Sequence, residues 1–240
     1  MDGQDWRFAF RRREEMPSGN RPQNTLHRLP AALLGALICL GAFLPLPGGA
    51  GTPVTIIDEW TNVRAPAAPA LKPVAVDPAT TAFLILDIAT AQCNAQRRPR
   101  CVASVPAIAA FLARATGRKM PVVYSVATGG KPEDILWEVR PLPGQPVVSG
   151  SVDKFQGTNL DAILKGMNIK AVIISGTAAQ GAVLYTASAA ALRGYQVEVP
   201  LDLVSADIPY AEQYTAWHLL NAPAGIGTRV TLTRSDLIRF

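Results

Sequence analysis

The chain has 240 residues, of which 49% are hydrophobic and 17% charged, with a formal net charge of +5. This composition excludes disorder over most of the length, and no repeat or series of long apolar runs indicates a coiled coil or a multi-pass membrane protein. Residues 51–240 carry 17 Lys plus Arg against 14 acidic residues. That small surplus, without a basic stripe interleaved with aromatic residues, predicts no nucleic-acid partner.

An arginine-rich start and a short apolar run open the chain. Ala31–Leu44 is uncharged, follows six arginines, and is followed by small residues up to Ala50. Fourteen residues are fewer than the roughly 20 that span a bilayer, so the pattern predicts a signal peptide over residues 1–50, cleaved near Ala50. The predicted location is periplasmic or secreted, with no membrane association after cleavage. A buried core helix and an uncleaved anchor are alternatives, and Met16 is an alternative start.

Two cysteines remain after export. Cys39 lies in the apolar run and would leave with it, whereas Cys93 and Cys101 flank seven polar or small residues. In an oxidising compartment an even pair at this spacing predicts a loop-closing disulfide, and in a cytosolic protein the same pair would be two free thiols.

The exported part is predicted to begin with an extended surface lead-in over residues 51–79, rich in Pro and Ala from residue 62. The domain proper is predicted to span residues 80–240. Residues 127–150 are rich in Gly and Pro and predict a long loop.

Apolar runs and helical spacing alternate along residues 80–240. Apolar runs with β-branched members predict buried strands at 80–87, 121–127, Lys170–Ser175, Tyr195–Leu201 and Thr228–Leu232. Helical spacing predicts helices at Ser104–Gly117, Asn159–Gly166, Gln180–Gly194 and Tyr210–Asn221. This alternation predicts an α/β fold with a mostly parallel sheet covered on both faces.

Two strand ends carry the candidate chemistry, because ligands of open parallel sheets bind beyond the carboxyl ends of the strands. Asp87 ends the first predicted strand, and residues 175–182 (SGTAAQGA) lead directly from the third strand into a helix. Backbone amides at such a turn can bind an anion or an oxyanion.

These two strand ends also carry a family resemblance. TAFLILD, which ends at Asp87, and FQGTNLDAILKGMNIKAVIISGTAAQGAVLYTASAAALRGYQVEV, which begins at Phe155, resemble the isochorismatase-like cysteine hydrolases. The resemblance runs from about Thr80 to Leu232. It implies a Rossmann-like three-layer α/β/α fold, hydrolysis of a small molecule, and assembly into a homo-oligomer through the helices.

The family's catalytic triad is Asp, Lys and Cys, and this chain matches it in part. The Asp falls on Asp87, but the Cys falls on Ala182, whose methyl group is no nucleophile. The Lys falls on Ser149, and Lys154, five residues later, supplies the ammonium only if the loop takes a different path. Without a thiolate, acyl-enzyme chemistry is not expected. Ser149 is a conceivable nucleophile, but no neighbouring base is evident.

The turn is where the resemblance implies substrate binding. It implies a cis peptide bond near Thr177–Ala178 and assigns substrate contacts to four turn residues, namely Thr177, Ala178, Gln180 and Ala182. No cofactor is expected. Some relatives hold a divalent ion with Asp and two His, whereas the exported chain keeps only His218, predicted to lie on a helix face near Trp217. No metal site is therefore expected.

Two functions fit these observations. The first is an exported isochorismatase-like hydrolase that acts, if at all, by acid/base chemistry at Asp87, as the isochorismate-cleaving branch of the family does without a thiol. The alternative is a catalytically inactive member that binds a small molecule or a protein partner. In the alternative, Asp87 would be a structural acceptor for the turn amides.

Overall fold

The computed structural model describes residues 54–240, so the predicted signal peptide and its cleavage site lie outside the described residues. In residues 54–240 there is no helix with the length and apolar character needed to cross a bilayer. The chain divides into a unit that ends at Trp60 and a compact unit, Thr61–Phe240.

A short helix, α1 (Ile56–Glu59), lies in the first unit and corrects the prediction that residues 51–79 are extended throughout. It begins after Thr55, whose amide and hydroxyl donate to the Asp58 carboxylate at 2.9 and 2.7 Å. The Asp58 carboxylate thus satisfies an N–H group that the start of a helix leaves without a partner. This local capping outweighs the tendency of residues 51–79 to be extended.

A parallel sheet forms the centre of the second unit, and the predicted α/β fold is confirmed. Its strands are β2 (Thr81–Leu86), β3 (Val122–Ala127), β4 (Val147–Gly150), β5 (Ala171–Thr177), β6 (Gln196–Pro200), β7 (Val204–Ser205) and β8 (Val230–Thr233). They are ordered β4–β3–β2–β5–β6–β8, and β7 pairs with β5. Every residue of β2 is buried, as expected for a central strand with both faces covered.

Helices cover both faces of this sheet. The helix α2 (Pro99–Gly117) packs on one face, with Phe83 and Phe111 in edge-to-face contact. The other face carries α3 (Leu160–Gly166), α4 (Leu184–Leu192) and α5 (Pro209–Asn221), and a short α6 (Ile226–Arg229) precedes β8. A separate pair of strands, β1 (Val74–Ala75) and β9 (Ile238–Arg239), ties the lead-in to the last residues.

The helix α2 begins at Pro99, five residues before the predicted start at Ser104. Proline suits the first turn of a helix because its missing N–H has no partner there. Ser104 does not cap the helix but donates its hydroxyl to the carbonyl of Cys101 at 2.8 Å. The helix therefore starts inside the cysteine loop.

Two further boundaries differ from prediction. The strand β4 lies within residues 127–150, where a loop was predicted, because a four-residue edge strand between Gly and Pro residues has too short a pattern to detect. The helix predicted from Gln180 begins only at Leu184, after a widened π-type turn over Ala179–Val183.

The structure contains the Cys93–Cys101 disulfide, whose two residues are both buried. We expect the Cys93→Ala/Cys101→Ala variant to lose about 2–3 kcal/mol of unfolding free energy, because the cross-link restricts the unfolded chain over a short loop. Urea unfolding of both proteins measures this difference. Peptide mapping of the non-reduced protein should show the linked peptides, and two freely alkylated thiols would contradict the bond.

Candidate functional site

Asp87 follows the last residue of β2, and only 7% of its surface is exposed. Its φ of 56° lies in the left-handed region, which Asp tolerates better than most residues. The backbone amide of Asp87 donates to the carbonyl of Ser125 at 3.1 Å, and the Ser125 hydroxyl donates to Asp87 Oδ1 at 2.8 Å. Both contacts come from β3, so the neighbouring strand fixes the carboxylate.

Lys154 is fully buried and makes an ion pair with this carboxylate, with Nζ 2.9 Å from Asp87 Oδ2. Its ammonium also donates to the carbonyls of Gly150 and Val126 at 3.0 and 3.3 Å. Three oxygen partners satisfy the three donors of an ammonium group. Burial of two charges costs desolvation free energy, and this set of hydrogen bonds is what offsets that cost.

The helix α4 determines the path of the chain that brings Lys154 to Asp87. The Lys154 amide donates to Thr186 Oγ1 at 3.2 Å, and the Thr186 hydroxyl donates to the carbonyl of Val152 at 3.3 Å. Thr186 lies on α4 and is fully buried. These hydrogen bonds to Thr186 hold the loop so that the Lys154 ammonium reaches the Asp87 carboxylate.

Gly176 allows the end of β5 to approach the end of β2. It pairs with Leu86 at a φ of 123°, and a Cβ atom there would lie 2.0 Å from the Leu86 carbonyl oxygen. Only glycine fits such an approach. The turn that follows therefore starts beside Asp87, at the same edge of the sheet.

The turn itself has the backbone form that the resemblance implies, since the Thr177–Ala178 peptide bond is cis. The carbonyl of Ala178 accepts hydrogen bonds from the amides of Gly181 and Val183 at 3.0 and 3.2 Å. Thr177 donates its hydroxyl to the carbonyl of Ser205 on β7, at 3.0 Å. The Thr177 side chain thus fastens the turn to the neighbouring strand.

Of the other turn residues assigned to substrate contact, Ala182 is buried, whereas Ala178 and Gln180 are half-buried. Ala182 is 3% exposed and packs in the core on the α4 face, and the Gln180 Oε1 atom is buried without a hydrogen-bond partner among the described residues. The two oxygens of Asp87 bind Ser125 and Lys154, and no hydrogen bond between described residues joins Asp87 to an amide of the turn, so the expectation that Asp87 accepts hydrogen bonds from the turn amides is not met.

Ser149 and both cysteines take no part in the hydrogen bonds that the structure shows at the Asp87 carboxylate. Ser149 is exposed on β4 and donates to the carbonyl of Ala127 at 3.3 Å, while the two cysteine sulfurs are joined to each other. None of these residues is a hydrogen-bond partner of Asp87.

His218 is half-buried on α5, and its Nδ1 atom lies 3.4 Å from the Tyr214 hydroxyl. Tyr214 is one helical turn away and contacts His218, because residues four apart share a helix face. Within residues 54–240, no cluster of three or more His, Cys, Asp or Glu side chains has a metal-binding arrangement.

Sequence reasoning missed Ser125, which makes the second side-chain contact to Asp87. It is a fully buried polar residue inside the apolar segment PVVYSVA. A buried hydroxyl needs a hydrogen-bond partner, so its position near the end of a strand beside β2 was the available signal.

The sequence profile of the isochorismatase domain matches residues 81–233. No curated protein gives a significant match. An isochorismatase family protein from Desulfovibrio vulgaris is similar in structure, with a TM-score of 0.59 and 20% identity over 65% of this chain and 95% of its own. N-carbamoylsarcosine amidase from Thermoplasma acidophilum gives a TM-score of 0.55 and 25% identity, and the match covers 65% of this chain and 97% of the amidase. A cysteine hydrolase from Pseudomonas syringae gives a TM-score of 0.58 and 17% identity, and the match covers 71% of this chain and 95% of the hydrolase. The structures below 25% identity indicate a shared fold alone.

Proposed function

Because the chain belongs to the isochorismatase family, we propose that it is an exported hydrolase that acts on a small molecule by acid/base chemistry at Asp87. The observation that carries the proposal is the buried Asp87–Lys154 ion pair at the carboxyl edge of the sheet, directly beside the cis turn. It supplies a proton-transferring group that is held in place before any substrate binds.

Residue 182 decides the type of hydrolysis in this proposal. A thiol at the family's nucleophile position would form an acyl-enzyme, whereas the methyl group of Ala182 has no lone pair to attack with. Water is then the nucleophile. With an amide, the water oxygen bonds to the carbonyl carbon, a water proton passes to Asp87, and the leaving amine takes a proton from Asp87 as its bond breaks. With a vinyl ether, Asp87 first gives a proton to the terminal alkene carbon, the water oxygen then bonds to the oxygen-bearing carbon and returns a proton to Asp87, and the resulting hemiketal divides into a carbonyl compound and an alcohol.

Lys154 and Ser125 position the carboxylate in this reaction. Each holds one oxygen of Asp87, at 2.9 and 2.8 Å, so the carboxylate has a fixed orientation. Fixed orientation of the reacting group is the part of catalysis that a rigid strand end provides.

A second candidate, a catalytically inactive family member that binds a small molecule or a protein, is favoured by the contacts of Lys154. Its ammonium joins the carbonyls of Val126 and Gly150 to Asp87, so the same ion pair also fastens the ends of β3 and β4 to β2. Such a link stabilises the fold even in a protein that turns over no substrate.

We expect Asp87→Asn to lower the hydrolytic rate at least about 100-fold, because the amide keeps the shape of the side chain but accepts no proton. The assay uses the purified exported form with a vinyl ether such as isochorismate and an amide such as nicotinamide. Asp236→Asn, which changes an exposed carboxylate paired with Arg234, is the matched control and should keep the wild-type rate.

Undiminished turnover by the Asp87→Asn variant would refute chemistry at Asp87. Binding of either compound without turnover by the wild-type protein would favour the second candidate. Thermal unfolding of each variant separates loss of activity from loss of structure.

A further inference from the structure

We propose that the disulfide-closed loop, residues 93–101, is a brace that holds the cis turn of the candidate site in place, and that Arg98 is its positioning residue. Its importance for catalysis rests on the proposed function, whereas the brace itself does not. The contacts that carry it run from the loop through residues 205–212 to Thr177.

The first contacts are within the loop and with Gln92, the residue before it. Arg98 is a buried cation, with a side chain only 7% exposed, and its amide donates to the carbonyl of Asn94 at 2.8 Å. One guanidinium nitrogen, Nη1, donates to the carbonyl of Gln92 at 3.3 Å. Together with the disulfide between Cys93 and Cys101, these bonds fix the position of Arg98 relative to the start of α2.

The second contacts join the loop to the segment after β7. Arg98 Nε lies 2.5 Å from Asp207 Oδ1 and Nη2 lies 3.4 Å from Oδ2. Arg100 makes a similar two-nitrogen contact with Glu212 at 2.8 and 2.5 Å, and Glu212 accepts the amide of Ala206 at 2.9 Å. Two-nitrogen contacts of arginine with a carboxylate fix both distance and orientation. Residues 206 and 207 are therefore held from the loop side.

The third contacts join this segment to the turn. The strand β7 has only two residues, and they pair with Gly176 and Thr177 of β5. The hydroxyl of Thr177 donates to the carbonyl of Ser205. A strand of two residues has little stability of its own, so its position depends on what holds its flanks. The arginines of the loop supply that support on the side of Ala206 and Asp207.

Formation of the disulfide should determine how firmly the cis turn is held. The Cys93 and Cys101 side chains are almost fully buried, and Arg98 and Arg100 lie between them or beside them in sequence. A chain whose cysteines are not joined lacks the closure that fixes both arginines. The cis turn is then held less firmly, so the proposed site reaches its final form only in the oxidised protein.

Hydrogen–deuterium exchange of the full exported chain tests the brace without any substrate. In Arg98→Met and in Asp207→Asn we expect peptides that cover residues 176–183 to exchange about tenfold faster than in the wild type. The double variant should exchange no faster than Arg98→Met, because both changes break the same contact. Cys93→Ala/Cys101→Ala should accelerate the same peptides.

Arg97→Met is the matched control. Arg97 is the preceding residue in the same loop, but it is exposed, and among the residues that the structure describes its guanidinium donates only to the carbonyl of Ala91, at 3.2 Å. This variant should leave exchange at residues 176–183 unchanged. Arg98→Lys keeps the charge without the two-nitrogen geometry and should give an intermediate rate, which provides a second test if Arg98→Met does not fold.

Two results would overturn the proposal. In the first, Arg98→Met accelerates exchange in residues 93–101 while residues 176–183 keep the wild-type rate. In the second, Arg98→Met raises exchange equally in the central strand β2 (Thr81–Leu86), which would indicate a general loss of stability. Faster exchange confined to the turn and the 204–212 segment, in a protein that shows no turnover, would support the brace and count against the proposed enzyme function alone.

Discussion

Lys154→Met is expected to destabilise the protein by about 3–5 kcal/mol at neutral pH, because it leaves the Asp87 carboxylate buried without its cation. It also removes the hydrogen bonds that the ammonium donates to the carbonyls of Val126 and Gly150. Methionine approximates the length and volume of the lysine stem, so little of the loss should come from a cavity. Urea unfolding, followed by far-UV circular dichroism, measures the difference.

The matched second variant is Lys154→Met/Asp87→Asn, in which neither group carries a charge. Asparagine tolerates the left-handed backbone of residue 87 and still accepts the Ser125 hydroxyl. We expect the double variant to recover about 2 kcal/mol relative to Lys154→Met, because the uncompensated charge is gone. A double variant no more stable than Lys154→Met would show that the loss comes from the carbonyl contacts and not from the charge.

The central strands were predictable from sequence because both of their faces are covered. The run TAFLIL contains one small polar residue, Thr81, and no charged residue, and six consecutive buried residues of this kind are typical of a parallel strand covered on both faces. The position of Asp87 followed from it, since the first charged residue after such a run has to lie at the strand end. Local pattern was sufficient for these features.

The contact of Lys154 was not predictable in the same way. It depends on Thr186, 32 residues later, which fixes the loop through the amide of Lys154. The first residue of α4 was also not predictable from local sequence, because the run from Ala178 to Ala191 is rich in residues that favour a helix or allow one. Nothing local marks Leu184 as the first helical residue. Contacts between distant segments decide both features.

Glu198 is a buried carboxyl group outside the candidate site, in the middle of β6. It is 8% exposed, lies between Ile173 of β5 and Thr231 of β8 in the sheet, and its Oε2 atom has no hydrogen-bond partner within residues 54–240. Burial raises the pKa of Glu198 from 4.5 to about 7, and the Thr231 side chain offsets only part of that rise. The folded protein therefore favours the neutral form of this group.

The stability of the protein should fall as this group ionises. Between the unfolded pKa of 4.5 and the folded pKa of about 7, the folded chain binds more protons than the unfolded chain, so a rise in pH favours unfolding. The contribution is fully present below pH 4.5 and is lost as the pH rises through the folded pKa. Between pH 5 and pH 8 the loss amounts to about 2–3 kcal/mol.

Glu198→Gln should remove this pH dependence, because glutamine has nearly the same shape and stays neutral. Relative to the wild type, we expect the variant to gain about 2–3 kcal/mol of unfolding free energy between pH 5 and pH 8, measured by urea unfolding at matched pH values. Glu133→Gln changes an exposed glutamate and should leave the pH dependence as it is in the wild type. Parallel stability curves for the wild type and Glu198→Gln over this range would mean that Glu198 does not titrate there, and that the carboxyl finds in solution a partner that keeps its charge.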